Sequence, residues 1–501
     1  MKALKYLFPA LAASFALCCQ PVDPDTGSDD KDKGNQEQTE PEPEPVVQGL
    51  CIDAPLVLEL DSAPELGAEG CITVFTSSGS QVDKIDLADF ASVSVRADGT
   101  MIPKQKITAD TPYNTTLDAL KSGSRYRIVH YTPLRINGKS LEIKLHNSVL
   151  NWGGTYYVTI DPGVIKGHPG IAKDEWSFTV KPKPSGTSFK VRQDGSGDFC
   201  TVQGALSHAS TLGKDTAVTI EIGEGTYHEM LFLRDKNKVT LSGVSREKSV
   251  ISYPNNENWC GGSGSSKNSK PTAGNAIGNC GGRGLVLFEN CDALSLNGLT
   301  IENSFGELKG QAECIYFNSG SNAHKLTIES CSLISFQDTF LCKGEVWVHN
   351  SLIAGHCDFV WGYPKACLFE DCEIRSRAAG YIVQARVQAA SNKGFVFLNC
   401  KLTAEDGVKD GSMYLARSGG DSKVFDNVTF IGCTMSKVIA AQGWHSSPAP
   451  NPSTPTATSG WKEFGIKDAG GNPLTGHNAL GKYLSASEAQ AFSSREAVLG
   501  W

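Results

Sequence analysis

The feature that most limits what this chain can fold into is a short segment that keeps returning in its C-terminal part. The form is apolar–x–apolar–x–x–Cys, as in Leu326-Thr327-Ile328-Glu329-Ser330-Cys331, Leu368-Phe369-Glu370-Asp371-Cys372, Val396-Phe397-Leu398-Asn399-Cys400 and Phe430-Ile431-Gly432-Cys433. Asn290-Cys291 opens a related stretch, Leu294 to Ile301. The later cysteines are 41, 28 and 33 residues apart, and Ser351 divides the 41 into 20 and 21. An irregular repeat of roughly 20–30 residues, made of short β-type strands and polar turns, predicts a parallel β-helix over 187–501. The handedness of parallel crossovers makes it right-handed. The recurring Cys, with Ser351 in the same slot, reads as an inward ladder of small side chains. Metal binding is the poorer explanation, because no Cys-x-x-Cys pairing accompanies it.

Within that repeat, Gln337-Asp338-Thr339 and Asp358-Phe359-Val360-Trp361-Gly362 occupy successive rungs, with the aspartates 20 residues apart. Neighbouring coils stack at roughly 4.8 Å, so Asp338 and Asp358 face each other across one inter-strand gap. Two carboxylates so close do not both ionise easily, and the pair separates into a nucleophile and an acid. A glycosidase also uses such a pair.

The rest of the 501 residues delivers and flanks this pair. Residues 1–19 have a basic start (Lys2, Lys5), an apolar run from Leu7 to Leu17, and Cys18-Cys19. That run is too short to span a bilayer and has the shape of a secretory signal. A cysteine at its end resembles a bacterial lipoprotein signal, with Cys19 the residue to be lipidated, since cutting before Cys18 would follow the bulky Leu17. Residues 20–47 are an acidic, Pro-rich spacer too poor in apolar residues to form a core. The expected location is the outer membrane, held by the lipid anchor.

From 48 to 183, short alternating strands such as Leu141–Leu145 and Trp176–Val180 are punctuated by Asn137-Gly138, Gly153-Gly154 and Pro162-Gly163. They predict a small antiparallel β-sandwich, similar to bacterial immunoglobulin-like domains, acting as a spacer. The whole chain is therefore all-β. Cys51 and Cys71 are either a disulfide or two reduced core cysteines. Cys260 and Cys280, in a Gly/Ser/Asn-rich insert over 254–283, are the better bridge candidates. Lys181 to Gly186 reads as a linker, and Ser485-Ala486-Ser487-Glu488 as a capping box opening a helix that ends near Gly500. A net charge of −8 argues against a nucleic-acid partner.

These residues together resemble the pectin methylesterase family (carbohydrate esterase family 8), from Val191 to the terminal Leu499-Gly500-Trp501. Gly225-Thr226-Tyr227-His228-Glu229 is similar to its Gly-x-Tyr-x-Glu signature, Gln311-Ala312 and Gln337-Asp338-Thr339 to its glutamine segments, and Asp358-Phe359-Val360-Trp361-Gly362 to its Asp-Phe-Ile-Phe-Gly. Tyr414-Leu415-Ala416-Arg417 is similar to Tyr-Leu-Gly-Arg, and Gly443-Trp444 also fits. The resemblance implies hydrolysis of galacturonate methyl esters in pectin by a monomer without metal or organic cofactor. Asp358 would be the nucleophile and Asp338 the acid and then the base. Gln337 and Gln311 would donate to the oxyanion, and Arg417 would hold Asp358 as a carboxylate and help to bind substrate. Two glutamines beside the aspartates favour acyl transfer over glycoside hydrolysis.

One departure stands out. The family continues Arg-Pro-Trp, whose Trp walls the sugar site, whereas here Arg417 is followed by Ser418-Gly419-Gly420. Trp361 and Trp444 are the candidates to replace that wall, though each also fits as a packed aromatic. Tyr227 and Glu229 are read as structural, and His356 as a surface or spacer residue, since no Ser nucleophile accompanies it. The competing readings are a pectate-lyase-like enzyme, for which the acidic Ca²⁺ cluster is lacking around Arg417, and a glycan-binding β-helix without catalysis.

Overall fold

The computed structural model describes residues 49–67, 69–87, 94–95, 101–102, 116–257, 260–268, 281–305 and 310–501. The signal, Cys19, the acidic spacer and Cys280 lie outside the described residues.

From Ser188 to Tyr483, 23 strands form one hydrogen-bonded system. Its pairings are parallel and link each strand to its counterpart one coil on, as Val239–Gly243 pairs with Leu294–Asn297 and Leu294–Asn297 with Lys325–Glu329. Three such rows run side by side, giving a parallel β-helix with three strands to a coil. The repeat seen in the sequence is one corner of that coil. Asn290, Ser330, Asn350, Asp371, Asn399 and Gly432 all have φ between 46° and 65°. Asn, Asp and Gly tolerate this left-handed conformation best. The next residue is then the buried Cys291, Cys331, Ser351, Cys372, Cys400 or Cys433. The thiols of Cys291, Cys372, Cys400 and Cys433 lie 3.3–3.5 Å from main-chain carbonyls of their own and the preceding coil. They are free cysteines, and the slot is a ladder of small weak donors. Deeper in, aromatic rings stack from coil to coil, Phe369 on Phe397 at 4.7 Å and Phe397 on Phe430 at 4.5 Å.

The helix Val202–Ala209 packs onto the N-terminal end of this stack. Thr201 caps it, and Glu229 accepts from the N–H groups of Val202 and Gln203 at 2.8 and 2.9 Å. Tyr227 is buried, its hydroxyl donating toward Val191 and Gly223 carbonyls. Both residues of the Gly-x-Tyr-x-Glu segment therefore build the fold.

Residues 49–180 carry small antiparallel sheets. Leu56–Glu59, Ser140–Ile143 and Leu134–Asn137 form one, and Ser177–Thr179, Thr155–Ile160, Cys71–Thr76 and Gln81–Asp86 form the other. Leu56, Leu58 and Leu141 of the first share a core with Ile72, Val74 and Val158 of the second.

This module is more than a spacer. The hairpin Thr116–Ser122/Arg125–Tyr131 leaves the sandwich, and its Leu120 and Val129 join the β-helix core. Arg127, fully buried, donates to the carbonyls of Leu231, Gly281, Gly282, Gly284 and Leu285. Lys181, in the expected linker, donates from Nζ to Gly195 and Gly197 of the β-helix at 2.6 and 3.0 Å. Cys51 and Cys71 are not bonded to each other: the Cys51 thiol lies 3.5 Å from the Gly197 carbonyl. At the other end the capping box forms as expected, but the helix breaks in two, Ala486–Ala489 and Arg495–Leu499, around a 3-10 turn at Gln490–Phe492.

Candidate active site

Asp338 and Asp358 sit at equivalent corners of successive coils. Gln311, Gln337 and Cys357 bridge in parallel register across three coils, and the Asp338 N–H donates to Cys357 at 3.0 Å. The aspartates follow at φ 66° and 47°, the left-handed conformation again. The backbone turn that serves as packing punctuation elsewhere here aims two carboxylates out of the coil. Gln311 and Gln337 stand half-buried beside them, so the sequence-predicted residues do converge.

The two carboxylates have opposite surroundings. Asp358 is 4% exposed and clamped by Arg417, whose Nε donates to Oδ1 at 2.8 Å and whose terminal nitrogen donates to Oδ2. Gln384 adds a third bond, Nε2 to Oδ2 at 2.9 Å. Arg417 is itself held flat over Tyr381, 4.7 Å from the ring centre. Asp338 has one charged partner, Arg283, which donates to Oδ2 at 2.9 Å. Arg283 is shared: its Nε meets both oxygens of the fully buried Glu313 at 3.0 and 2.9 Å, and it reaches Glu257 at 2.5 Å. The charge of Arg283 is therefore divided among three carboxylates. Burial first, then the charges of Glu313 and Asp358, raise the Asp338 pKa well above the carboxylate range against the pull of Arg283 and Arg386. Asp358 thus sits in a guanidinium fork, while Asp338 shares its arginine with two glutamates.

Arg283, Glu313, Gln384 and Arg386 were missed from the sequence. Arg283 closes the 254–283 insert, whose Glu257 N–H donates to the Gln311 carbonyl at 2.9 Å, so the insert does border the cleft. Its carrier loop is the one gripped by Arg127. Gln384 pairs with Trp361 one coil earlier, and a register shift between Cys357 and Val360 hides it from a count made from Asp358.

Three sequence readings need correction. Trp444 is 1% exposed, donates to Glu463 at 3.1 Å and stacks on Trp461 at 5.2 Å; it is a core residue and offers substrate no face. Trp361 is 7% exposed and lies under the guanidinium of Arg386 at 4.9 Å. The guanidinium of Arg283 also lies over its ring, at 5.9 Å. His356 is buried against Phe336 rather than on the surface, and burial lowers its pKa.

The Pectinesterase family's sequence profile matches residues 188–472, more than half of the chain. The chain belongs to the pectinesterase family. Pectinesterase 31 of Arabidopsis thaliana is 32% identical over 261 residues, covering 51% of this chain and 76% of the relative. A probable pectinesterase A of Aspergillus flavus is 29% identical over 309 residues, covering 61% and 84%. The fold is shared with the crystal structure of a pectin methylesterase in complex with a hexasaccharide, at a TM-score of 0.50 and 23% identity, covering 64% of this chain and 98% of that one. The match begins where the β-helix begins, and the N-terminal sheets lie outside it.

Proposed function

We propose that this pectinesterase-family chain hydrolyses the methyl esters of galacturonate units in pectin, with Asp358 as nucleophile and Asp338 as acid and then base. The observation that carries the assignment is the unequal pair: Asp358 gripped by the fork of Arg417, Asp338 pushed toward its protonated form one coil away. An Asp358 oxygen attacks the ester carbonyl, and the carbonyl oxygen becomes an oxyanion for which Gln311 and Gln337, in register on neighbouring coils, are the proposed amide donors. Such donors are typically worth about 3 kcal/mol each. As the C–O bond to the methoxy group breaks, Asp338 gives up its proton and methanol leaves. Asp338, now a carboxylate, takes a proton from water while the water oxygen attacks the acyl carbon of the anhydride. Asp358 departs as a carboxylate, the product is a free galacturonate, and Asp338 is protonated again. A carboxylate is a weak nucleophile, so fixed position and a ready acid supply most of the rate.

The cleft's clustered arginines suit a polyuronate better than a neutral glycan. Export rests on the apolar leader, and lipidation at Cys19 with outer-membrane attachment completes the proposed setting. The N-terminal sandwich is proposed as an immunoglobulin-like module, and the chain as a monomer. The test is methanol release from highly methylated pectin, with one carboxylate formed per methanol. Chain cleavage with unsaturated ends and no methanol would instead favour a lyase.

A further inference from the structure

Two thiols meet where the N-terminal module joins the β-helix, one from each side of the joint. Cys51 follows Leu50, which bridges Val180 in parallel and accepts the Lys181 N–H at 2.8 Å. Cys200 stands on the β-helix side, directly before Thr201, the cap of the helix Val202–Ala209. Both are buried, at 1% and 4% exposed. Their Sγ atoms and a carboxylate oxygen of Asp53 all lie within 4.8 Å of one another. Asp53 draws the two segments together. Its carboxylate accepts the Cys200 N–H at 3.0 Å, the Thr201 N–H at 2.7 Å and the Thr201 hydroxyl at 2.6 Å. The backbones are already side by side, so rotation about the two Cα–Cβ bonds can bring the sulfurs toward the roughly 2.05 Å of a bond.

The surroundings divide the pair into two roles. Lys181 Nζ lies 3.5 Å from the Cys51 sulfur. A hydrogen bond from Cys200 first, and Lys181 after it, lower the Cys51 pKa against burial and the charge of Asp53, while the Cys200 pKa is raised. Cys51 is thus the sulfur that becomes a thiolate, and Cys200 the neighbouring thiol that can resolve a mixed disulfide. A divalent metal suits these groups poorly. Both oxygens of Asp53 are engaged by the helix cap, and the Lys181 ammonium stands where a further ligand to Cys51 would have to sit.

The ladder cysteines are a contrast within the same molecule. The thiols of Cys372, Cys400 and Cys433 are each engaged by two main-chain carbonyls, and burial raises the Cys400 pKa. Cys51 also stands outside the 188–472 family match, so the meeting of these two thiols belongs to the joint peculiar to this chain.

We propose that Cys51 and Cys200 are a site of oxidative modification, closed after export into a disulfide that ties the N-terminal module to the β-helix. The oxidant is a protein disulfide of the export compartment. The Cys51 thiolate attacks one of its sulfurs and the other leaves, taking up the Cys200 proton. The Cys200 sulfur then attacks Cys51 and displaces the oxidant. One Sγ–Sγ bond forms, one disulfide of the oxidant breaks, and two electrons and two protons end on the oxidant as a dithiol. The bridge secures the module whose Arg127 grips the loop carrying Arg283. It rests on export and is independent of the esterase reading.

The test maps the cysteines of the full chain, exported and purified without reductant. The protein is unfolded in acid with an alkylating agent, digested without reduction and analysed by mass spectrometry. The Cys51 and Cys200 peptides should be recovered joined, lighter than their sum by two hydrogens, with the ladder peptides alkylated. The chain made without its leader in a reducing cytosol should gain the same bridge on incubation with oxidised glutathione. Reduction should lower the melting temperature of the exported protein by about 4 °C, and Cys51→Ser/Cys200→Ser should melt near the reduced wild type. Both peptides alkylated after glutathione treatment, with or without one equivalent of bound zinc, would overturn the bridge. So would Cys51 joined to another cysteine such as Cys71. A bridge formed with glutathione but absent from the exported protein would confirm the pair and refute its closure on export.

Discussion

Replacing Glu313 by Gln should move the alkaline limb of the pH profile. Glu313 and Asp338 are held by the same guanidinium, Glu313 on Nε and Asp338 on a terminal nitrogen. Groups bridged in this way lie roughly 6 Å apart, and at an effective dielectric constant of about 20 their repulsion is about 2.8 kcal/mol, or close to two pH units. Glu313 is fully buried, so solvent screens little of this; the same burial raises its own pKa, so the full repulsion acts only where Glu313 is ionised. The sign follows from the role. Asp338 must carry a proton to release methanol, and Glu313 is one of the charges that keep its pKa raised. The variant loses that charge, Arg283 is freed to favour the Asp338 carboxylate, and the pKa falls. Activity should then be lost at a pH lower by one to two units, about the size of the repulsion. The assay is kcat/KM for methanol release across pH, with folding checked by circular dichroism; Glu257 still pairs with Arg283. An unmoved alkaline limb in a folded, active variant would refute the reasoning, because Glu313 would then carry no charge that Asp338 feels.

Other perturbations follow from the same geometry. Arg417→Lys keeps the charge but loses the fork on Asp358, and should lower kcat about thirtyfold, or about 2 kcal/mol, in steady-state assays. Arg127→Met removes the guanidinium that five carbonyls share under the loop that carries Arg283, leaving those of Gly282 and Leu285 with their other donors, Asn255 Nδ2 and the Leu231 N–H. It should lower the melting temperature, by roughly 3 kcal/mol of stability, and reduce kcat as well although it lies outside the cleft. In the ladder, Cys400→Ser should be tolerated as Ser351 is, while Cys400→Leu overpacks the corner by about 1–3 kcal/mol, read as a larger drop in melting temperature.

The β-helix was legible because its repeat is local chemistry. A residue able to turn left-handed followed by a small buried one appears in the sequence as Asn-Cys, Asp-Cys or Gly-Cys. The aspartate pair was legible because 20 residues is one coil, so Asp338 and Asp358 fall at the same place on successive coils, each eight residues after the left-handed Ser330 or Asn350. What stayed hidden depends on contacts between coils and between segments far apart. Arg283 reaches Asp338 across 55 residues and Arg127 grips Gly284 across 157, and no periodicity carries such pairings. Trp444 misled because an aromatic in the right motif says nothing about which way it faces. Here the Trp461 ring and Glu463 draw it inward. The N-terminal strands were legible as antiparallel, but nothing local in Thr116–Ser122 or Arg125–Tyr131 marks them as the hairpin whose Leu120 and Val129 join the β-helix core.

The most direct measurement is methanol release by Asp358→Asn beside the wild type, on highly methylated pectin and with both proteins shown to be folded. Asn keeps the shape and a hydrogen bond to Arg417 but cannot attack the ester. Loss of activity by a factor of about 10⁴ or more is predicted. Activity within tenfold of the wild type would contradict the central claim that Asp358 is the group that takes the acyl chain.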